Sequence, residues 1–295
     1  MNVRRISSLL LRPSERLPQI LSDDYSLMKH GDSSATKSLA QLLFNKISSS
    51  KDLDLETVHK KNLVLSSSAY GSIPTAAHAL MLEVSKLLTK HGVSHEIAKI
   101  ERLQALSRID YAALSDVERG TELEVRQLRI NKENRLLMND QHIILIDDLC
   151  ATGGHERAII NCLLETCVVP VVNFFYVFEF SEELRNTNPM LESELNSAQV
   201  KNLDDLLTLI RDSNEPSYIN ARVVKFALAE GECNQVSFKR FLSLAPIEYL
   251  DRFYRAVMSS DMLFLRESYS GVVEMLCVCV HESRLRIAPA CPVTS

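Results

Sequence analysis

The fold is decided by the stretch His142-Ile-Ile-Leu-Ile-Asp-Asp-Leu-Cys-Ala-Thr-Gly-Gly-His-Glu156. Its apolar first half predicts a buried strand, and an apolar helical pattern follows the two glycines through Cys167. A strand that leads directly into a helix is the unit of parallel α/β sheets. The loop between Asp147 and His155 is therefore expected beyond the carboxyl end of a strand, where such sheets bind ligands.

Strand-like and helix-like segments alternate on both sides of this stretch. Apolar runs at 62–66, 95–100 and 168–180 predict strands, and 75–90 predicts a helix that ends at Gly92. The run 168–180 is shorter than the roughly 20 residues of a membrane-spanning helix. We therefore predict an α/β protein whose parallel sheet carries helices on both faces, followed by a C-terminal helical appendage.

Three parts are expected along the chain. Residues 1–60 are predicted to form an N-terminal helical lead-in or hood. Residues 61–211 are predicted to form the α/β core, with a charged lid insertion at about 101–140. Residues 212–295 are predicted to be helical.

The first 21 residues fit two interpretations. Arg4, Arg5 and Arg12, with several serines, suit an organelle transit peptide. Pro13 and Pro18 interrupt that pattern, so an ordered amphipathic lead-in is preferred.

Composition excludes several classes of protein. The chain has 295 residues, 33 Lys and Arg against 38 Asp and Glu, and only 8 glycines. The net charge of −5 argues against nucleic acid as a partner, and the few glycines argue against Gly-rich repeats and all-β folds. Seven cysteines, an odd number in largely apolar surroundings, indicate free thiols and a cytoplasmic location. Cys277 and Cys279 are spaced like two ligands of a metal site, but no second cysteine pair lies nearby in the sequence to complete it.

The loop after the decisive strand has the chemistry of a ribose 5-phosphate site. Backbone N–H groups around Thr152–Gly154, at the start of a helix, can cradle a phosphate, and glycine lets the backbone approach it. Asp147 and Asp148 only accept hydrogen bonds when ionised, which suits vicinal sugar hydroxyls. No Gly-Lys-Ser/Thr follows, which excludes a Walker loop, and the acids precede the glycines, which excludes a dinucleotide fingerprint.

The segment Ile144-Leu-Ile-Asp-Asp-Leu-Cys-Ala-Thr-Gly-Gly-His155 resembles the phosphoribosyl-pyrophosphate (PRPP) motif of the type I phosphoribosyltransferases, and most of all the adenine version. The resemblance implies that Asp147 and Asp148 are the catalytic pair and hold the ribose hydroxyls. It implies a 5-phosphate site made of Ala151, Thr152, Gly153, Gly154 and His155. His155 stands where the family usually has threonine, which removes a hydroxyl donor. The alanine at 151 replaces the aspartate of hypoxanthine–guanine enzymes and argues against a 6-oxopurine substrate.

A second element of the family would lie after the strand at 62–66. There the resemblance implies a pyrophosphate site made of Ser68, Ala69, Tyr70 and Gly71, with Lys99 and Arg102 as basic residues near the end of the second strand. Weaker candidates in the lid are Arg108, Tyr111, Arg119 and Arg126. The alternative is an ordinary Gly/Pro turn beside solvated charges.

The implied reaction is a glycosyl transfer of nucleotide metabolism. The phosphoribosyl group passes from PRPP to a small-molecule nitrogen base or amine, with Mg²⁺ held mainly by PRPP and no direct metal ligand on the protein. Two alternatives stay open. One is a catalytically degenerate protein that binds PRPP or a nucleotide as a regulator, sensor or component of a bacterial defence complex. The other is a macromolecular substrate or a different phosphoribosyl donor.

The acceptor site is the least defined part. Tyr25–Asp32 is a candidate hood segment, although a plain loop before a helix is the preferred interpretation. Arg222 and Lys225 lie within one helical turn and can reach a phosphate, although a solvated helix face is preferred. No membrane partner is expected. A homodimer, or a complex with another protein through the helical tail, fits the pattern.

Overall fold

The computed structural model describes residues 1–13, 15, 17–50, 63–103, 128–188 and 190–287, with side chains up to 284. In chain order the strands are β1 (Asn2–Leu11), β2 (Leu63–Ser67), β3 (His95–Ile97), β4 (Glu101–Arg102), β5 (Leu128–Arg129), β6 (His142–Cys150) and β7 (Val171–Phe180). The α-helices are α1 (Gln19–Lys29), α2 (Ser33–Ser49), α3 (Ala76–Lys90), α4 (Lys132–Met138), α5 (Gly154–Thr166), α6 (Glu182–Thr187), α7 (Leu191–Asn196), α8 (Leu203–Asp212), α9 (Ala221–Cys233), α10 (Gln235–Leu244), α11 (Ile247–Val257), α12 (Leu263–Ser268) and α13 (Ser270–Ile287). A 3₁₀ helix spans Ser260–Met262.

The main sheet has five parallel strands in the order β1-β7-β6-β2-β3. β6 lies in the middle, and its successive side chains point to opposite faces. Ile144 and Ile146 pack in a cluster with α2 and α3, whereas Ile143 and Leu145 pack in a second cluster with α5. Both faces of the sheet are thus covered by helices, which confirms the predicted fold class.

β1 corrects the prediction of a helical lead-in. Residues 2–11 form an edge strand that pairs with β7, from Asn2 opposite Val171 to Leu11 opposite Phe180. An edge strand tolerates charged residues such as Arg5. The prediction was wrong here because the pairing partner lies more than half the chain away. The following segment does form helices, α1 and α2, and the division into three parts stays a prediction.

The ends of the predicted lid insertion meet in the structure. β4 pairs antiparallel with β5, with Glu101 opposite Arg129. Residues 104–127, which include the lid candidates Arg108, Tyr111, Arg119 and Arg126, lie outside the described residues.

The helices after β7 confirm the predicted C-terminal helical region. α8 to α11 and α13 pack around a core that includes Phe238, Phe241 and Phe253. Pro246 separates α10 from α11 within this helical region. Ile73, from the loop after β2, is buried in this same core and joins the bundle to the sheet. Among the described helices, none has the length and apolar character needed to cross a membrane.

Candidate ligand-binding site

A pocket opens beyond the carboxyl end of β6. It is lined continuously by Asp147–Glu156, and the start of α3 adds Thr75–Ala77. Ser68 enters from the end of β2 and Tyr176 from β7. The outer wall comes from three helices, through Lys29, Glu192 and Arg222. The predicted ribose and 5-phosphate residues are therefore neighbours in one cavity.

The glycine pair builds the backbone cradle that its chemistry predicts. Gly153 has a φ of 68°, in the left-handed region, and α5 begins at the next residue. Gly153 is the N-cap and has no side chain to bond the first N–H groups of the helix. The Gly154 N–H points toward Thr152 Oγ1 at 3.4 Å. A positive-φ residue before a helix start is the geometry of an anion-binding nest.

The Arg5 side chain, on β1, lies next to this backbone cradle. A Cβ at Gly153 would lie 2.9 Å from Arg5 Nη2. The guanidinium also donates to both carboxylate oxygens of Glu156, at 2.8 and 3.0 Å. The Tyr176 hydroxyl donates to the same carboxylate at 3.0 Å. Glu156 and Tyr176 are buried and Arg5 is 36% exposed, so this network ties the first turn of α5 to β1 and places a cation beside the predicted phosphate position.

The second acid of the pair already has two partners. Asp148 accepts hydrogen bonds from the Tyr25 hydroxyl at 2.7 Å and from Lys29 Nζ at 2.5 Å. Burial alone would raise the pKa of Asp148, but the Lys29 charge and the hydrogen bonds lower it to about 2. Asp148 is therefore ionised near neutral pH.

The first acid is in a different environment. Burial raises the pKa of Asp147, and its ionised neighbour Asp148 adds to that effect. His155 opposes it, with Nδ1 3.6 Å from Asp147 Oδ2. The His155 Nε2 atom is buried without a hydrogen-bond partner among the described residues. Asp147 and His155 are thus the polar groups of this loop with capacity for a ligand.

The predicted pyrophosphate loop is tied to the basic residues expected beside it. Lys99 Nζ donates to the Gly71 carbonyl at 2.5 Å and lies 4.4 Å from the Tyr70 ring centre. Arg102 Nη2 donates to the Ala69 carbonyl at 2.9 Å. Of the predicted pyrophosphate residues, Ser68 lines the pocket. The others, Ala69, Tyr70, Gly71, Lys99 and Arg102, are not among the described lining residues. The structure therefore brings the two cations to the loop but places them on its carbonyl oxygens.

The hood segment contributes through α1, which occupies most of it. Lys29 lines the pocket, and the buried Tyr25, one helical turn earlier, contacts the same Asp148 carboxylate. The preferred interpretation of a plain loop was therefore wrong for most of this segment. Arg222 lines the pocket, while Lys225 is not among its described lining residues.

Sequence reasoning missed Arg5 and Glu192 as site residues. The signal available for Arg5 was a basic residue inside a largely apolar N-terminal run. Glu192 carried no comparable signal, because a short acidic helix is ordinary surface sequence.

Metal ligands are scarce in this part of the molecule. Across the described ranges, no group of three or more His, Cys, Asp or Glu side chains could hold a metal ion. Cys277 and Cys279 are free thiols.

Comparison with known proteins agrees with the geometry. The family model described as PRTase ComF-like matches residues 13–276. The chain belongs to this family. The described structure of this PRTase ComF-like protein has the parallel sheet and the strand–loop–helix unit expected from its phosphoribosyltransferase-type motif.

Solved structures give only distant matches to this PRTase ComF-like chain. Two crystal forms of a hypoxanthine phosphoribosyltransferase from Staphylococcus aureus match with 11% identity and TM-scores of 0.31 and 0.32, over 51% and 52% of this chain and 76% of theirs. A purine phosphoribosyltransferase from Pyrococcus horikoshii matches with 11% identity and a TM-score of 0.25, over 61% of this chain and 88% of its own. No curated protein matches the chain.

Proposed function

We propose that this protein transfers the phosphoribosyl group of PRPP to a nitrogen base or amine. The observation that supports this best is the position of Asp147 and Asp148 at the end of β6, next to the Gly153 cradle in the same pocket. In the reaction, the acceptor nitrogen forms a bond to the anomeric carbon as the bond to pyrophosphate breaks. Pyrophosphate leaves with the electron pair, and the acceptor nitrogen gives its proton to solvent.

The 5-phosphate would bind in the cradle. The N–H groups from Thr152 to His155, at the start of α5, would donate to its oxygens. Arg5 adds a positive charge beside Gly153. The backbone of Ala151 belongs to the same loop, and its carbonyl accepts from Arg185 at 3.0 Å, which holds the loop in place.

The ribose would bind against the acid pair. Asp147 accepts from the Asp148 N–H at 3.0 Å and lies 3.6 Å from His155, and no cation comparable to Lys29 is described on it, so Asp147 is the better placed to accept from a hydroxyl. Two buried carboxylates below the ring also favour a transition state with positive charge at the anomeric carbon. Asp148, held by Lys29, would supply negative charge at a fixed place.

The pyrophosphate would bind at Ser68, Ala69, Tyr70 and Gly71, with Lys99 and Arg102 supplying positive charge. Magnesium, carried mainly by PRPP oxygens, fits a pocket without a described metal-ligand cluster, and it would neutralise the departing diphosphate.

The acceptor would enter beside Lys29, Glu192 and Arg222, which form the outer wall. The proposed motif is of the adenine type, and the proposed location is the cytoplasm. The C-terminal helices would form a homodimer or a complex with another protein.

Pyrophosphate release tests the proposal. Purified protein is incubated with PRPP, magnesium and a panel of bases and amines. The unaltered chain should release pyrophosphate with at least one acceptor, and Asp147→Asn should lower the rate at least a hundredfold. The control is Asp212→Asn, an exposed carboxylate at the end of α8. Equal loss in both variants, or activity that survives in Asp147→Asn, contradicts the assigned role.

A second candidate function is non-catalytic binding of PRPP or a nucleotide. It is favoured by the partners that Asp148 already has, since Lys29 and Tyr25 both bind Oδ2, one of the two oxygens that this carboxylate could offer to a ribose. Calorimetry separates the two functions: binding of PRPP or a nucleoside monophosphate without pyrophosphate release for any acceptor supports the second.

A further inference from the structure

The loop after β2 receives a carboxylate from the C-terminal helical region. Asp261, in the 3₁₀ helix, accepts hydrogen bonds from the N–H groups of Ser72 and Ile73, the latter at 3.1 Å. The hydroxyls of Ser72 and Ser260 lie 3.0 Å apart. Successive backbone N–H groups that converge on one carboxylate form an anion-binding loop, and here the anion belongs to the protein.

Gly71 is the residue that makes this approach feasible. A Cβ at Gly71 would overlap the Asp261 carboxylate, whose three terminal atoms are its nearest neighbours. The sequence predicted that Gly71 lets a pyrophosphate approach the backbone. In the structure, the close approach at Gly71 is made by Asp261.

The loop is also anchored, so it does not move away from Asp261 independently. Ile73 is 3% exposed within the core of the C-terminal bundle. The Pro74 carbonyl accepts from the Ala221 N–H at 3.0 Å, at the start of α9. On the other side, Lys99 holds the Gly71 carbonyl. Loop and carboxylate are therefore held against each other by both parts of the molecule.

We propose that Asp261 is a specificity-determining residue that competes with the diphosphate of the ligand for this loop. The inference rests on the proposed function, because it takes residues 68–71 as the place where a diphosphate binds. Asp261 holds a negative charge at the Ser72 and Ile73 N–H groups, directly after residues 68–71, and like charges at such short range repel each other. The conformation with Asp261 in place therefore favours 5-phosphorylated ribosides without an anomeric diphosphate over PRPP.

The test is calorimetric titration of the full chain, with magnesium, using PRPP, inorganic pyrophosphate and ribose 5-phosphate. Asp261→Asn keeps an oxygen acceptor for the two N–H groups and removes the charge. It should tighten binding of PRPP and pyrophosphate about tenfold, the scale of one charged hydrogen bond, and leave ribose 5-phosphate unchanged. The matched control, Asp251→Asn, alters a carboxylate of the same bundle that pairs with Arg255 and Arg284, and should change none of the three affinities.

Unchanged or weaker PRPP binding in Asp261→Asn, with ribose 5-phosphate intact, overturns the inference and leaves the proposed function standing. Absence of binding of both PRPP and ribose 5-phosphate to the unaltered chain removes the proposed function and the inference with it. The unaltered chain gives a second measurement that needs no variant. It should bind ribose 5-phosphate at least as tightly as PRPP, and a clear preference for PRPP overturns the inference.

Discussion

Replacement of Lys29 by methionine tests the electrostatics of the pocket. The Lys29 and Asp148 side chains are only 17% and 10% exposed, and their charged atoms are 2.5 Å apart. Methionine keeps much of the aliphatic stem and removes the charge. The substitution leaves Asp148 buried with the Tyr25 hydroxyl but without a neutralising cation, which is the costly way to break a buried ion pair.

The expected magnitude follows from the pKa of Asp148. Its value of about 2, against an ordinary value of 3.8, corresponds to about 2.5 kcal/mol of folding free energy near neutral pH. Because the pKa is lowered in the folded state, this stabilisation is complete above about pH 4 and is lost as the pH falls from 4 toward 2. In Lys29→Met, burial acts without the lysine and raises the pKa of Asp148 above its present value.

Urea unfolding followed by circular dichroism measures the effect. At pH 7, Lys29→Met should be less stable than the unaltered chain by about 2–3 kcal/mol. The difference should shrink at pH 3, where the variant protonates Asp148 and no longer carries an unpaired buried charge. Lys37→Met, which breaks an exposed pair with Glu215, is the control and should change the unfolding midpoint little.

Two results would refute this account. One is a stability difference between Lys29→Met and the unaltered chain that is the same at pH 7 and pH 3. The other is strict additivity of Lys29→Met and Asp148→Asn in a double-mutant cycle, since two groups that interact directly should show a coupling energy.

Two further substitutions test the phosphate cradle. Gly153→Ala should weaken ribose 5-phosphate binding at least tenfold in calorimetry, because it adds a Cβ 2.9 Å from Arg5 at a φ of 68°. The control is Gly92→Ala, at a φ of 77° with open space around it, which should cost only backbone strain of about 1 kcal/mol. Equal losses of binding in the two variants would contradict the proposed cradle. Glu156→Gln should lower the free energy of unfolding by about 1 kcal/mol and weaken the same binding, because it breaks the bidentate pair between the buried Glu156 carboxylate and the Arg5 guanidinium, which solvent partly screens. The control is Glu179→Gln, which removes the longer, exposed contact of Arg5 with Glu179 at 3.3 Å and should have a smaller effect on stability and on binding. A larger effect for Glu179→Gln than for Glu156→Gln would show that the loop is not held through Glu156.

Local segments were predictable because their signals come from neighbouring residues. The run from His142 to Cys150 alternates between two buried faces, and the glycine pair after it starts α5, so both could be inferred from a short window. The helix at 75–90 was predictable for the same reason, with Thr75 as its N-cap.

Contacts between distant parts of the chain were not predictable in this way. β1 looked like an amphipathic lead-in because its pairing with β7 is invisible to local periodicity. Lys29 lay in a candidate hood segment and Arg5 in a partly apolar run, but neither pattern indicated the carboxylates at Asp148 and Glu156 that these cations contact.

The amino-acid sequence by itself predicted a strand–loop–helix unit at the Asp147–His155 loop, together with the ribose 5-phosphate site proposed there. It did so because acids, glycines and a helix start are contiguous there, and backbone geometry follows from residues a few positions apart. The tertiary structure alone decided what charge surrounds that loop. Arg5, Lys29 and Asp261 each contact residues more than 100 positions away, at Glu156, Asp148 and Ile73. Only the packing of the sheet, helix α1 and the C-terminal bundle determines these contacts.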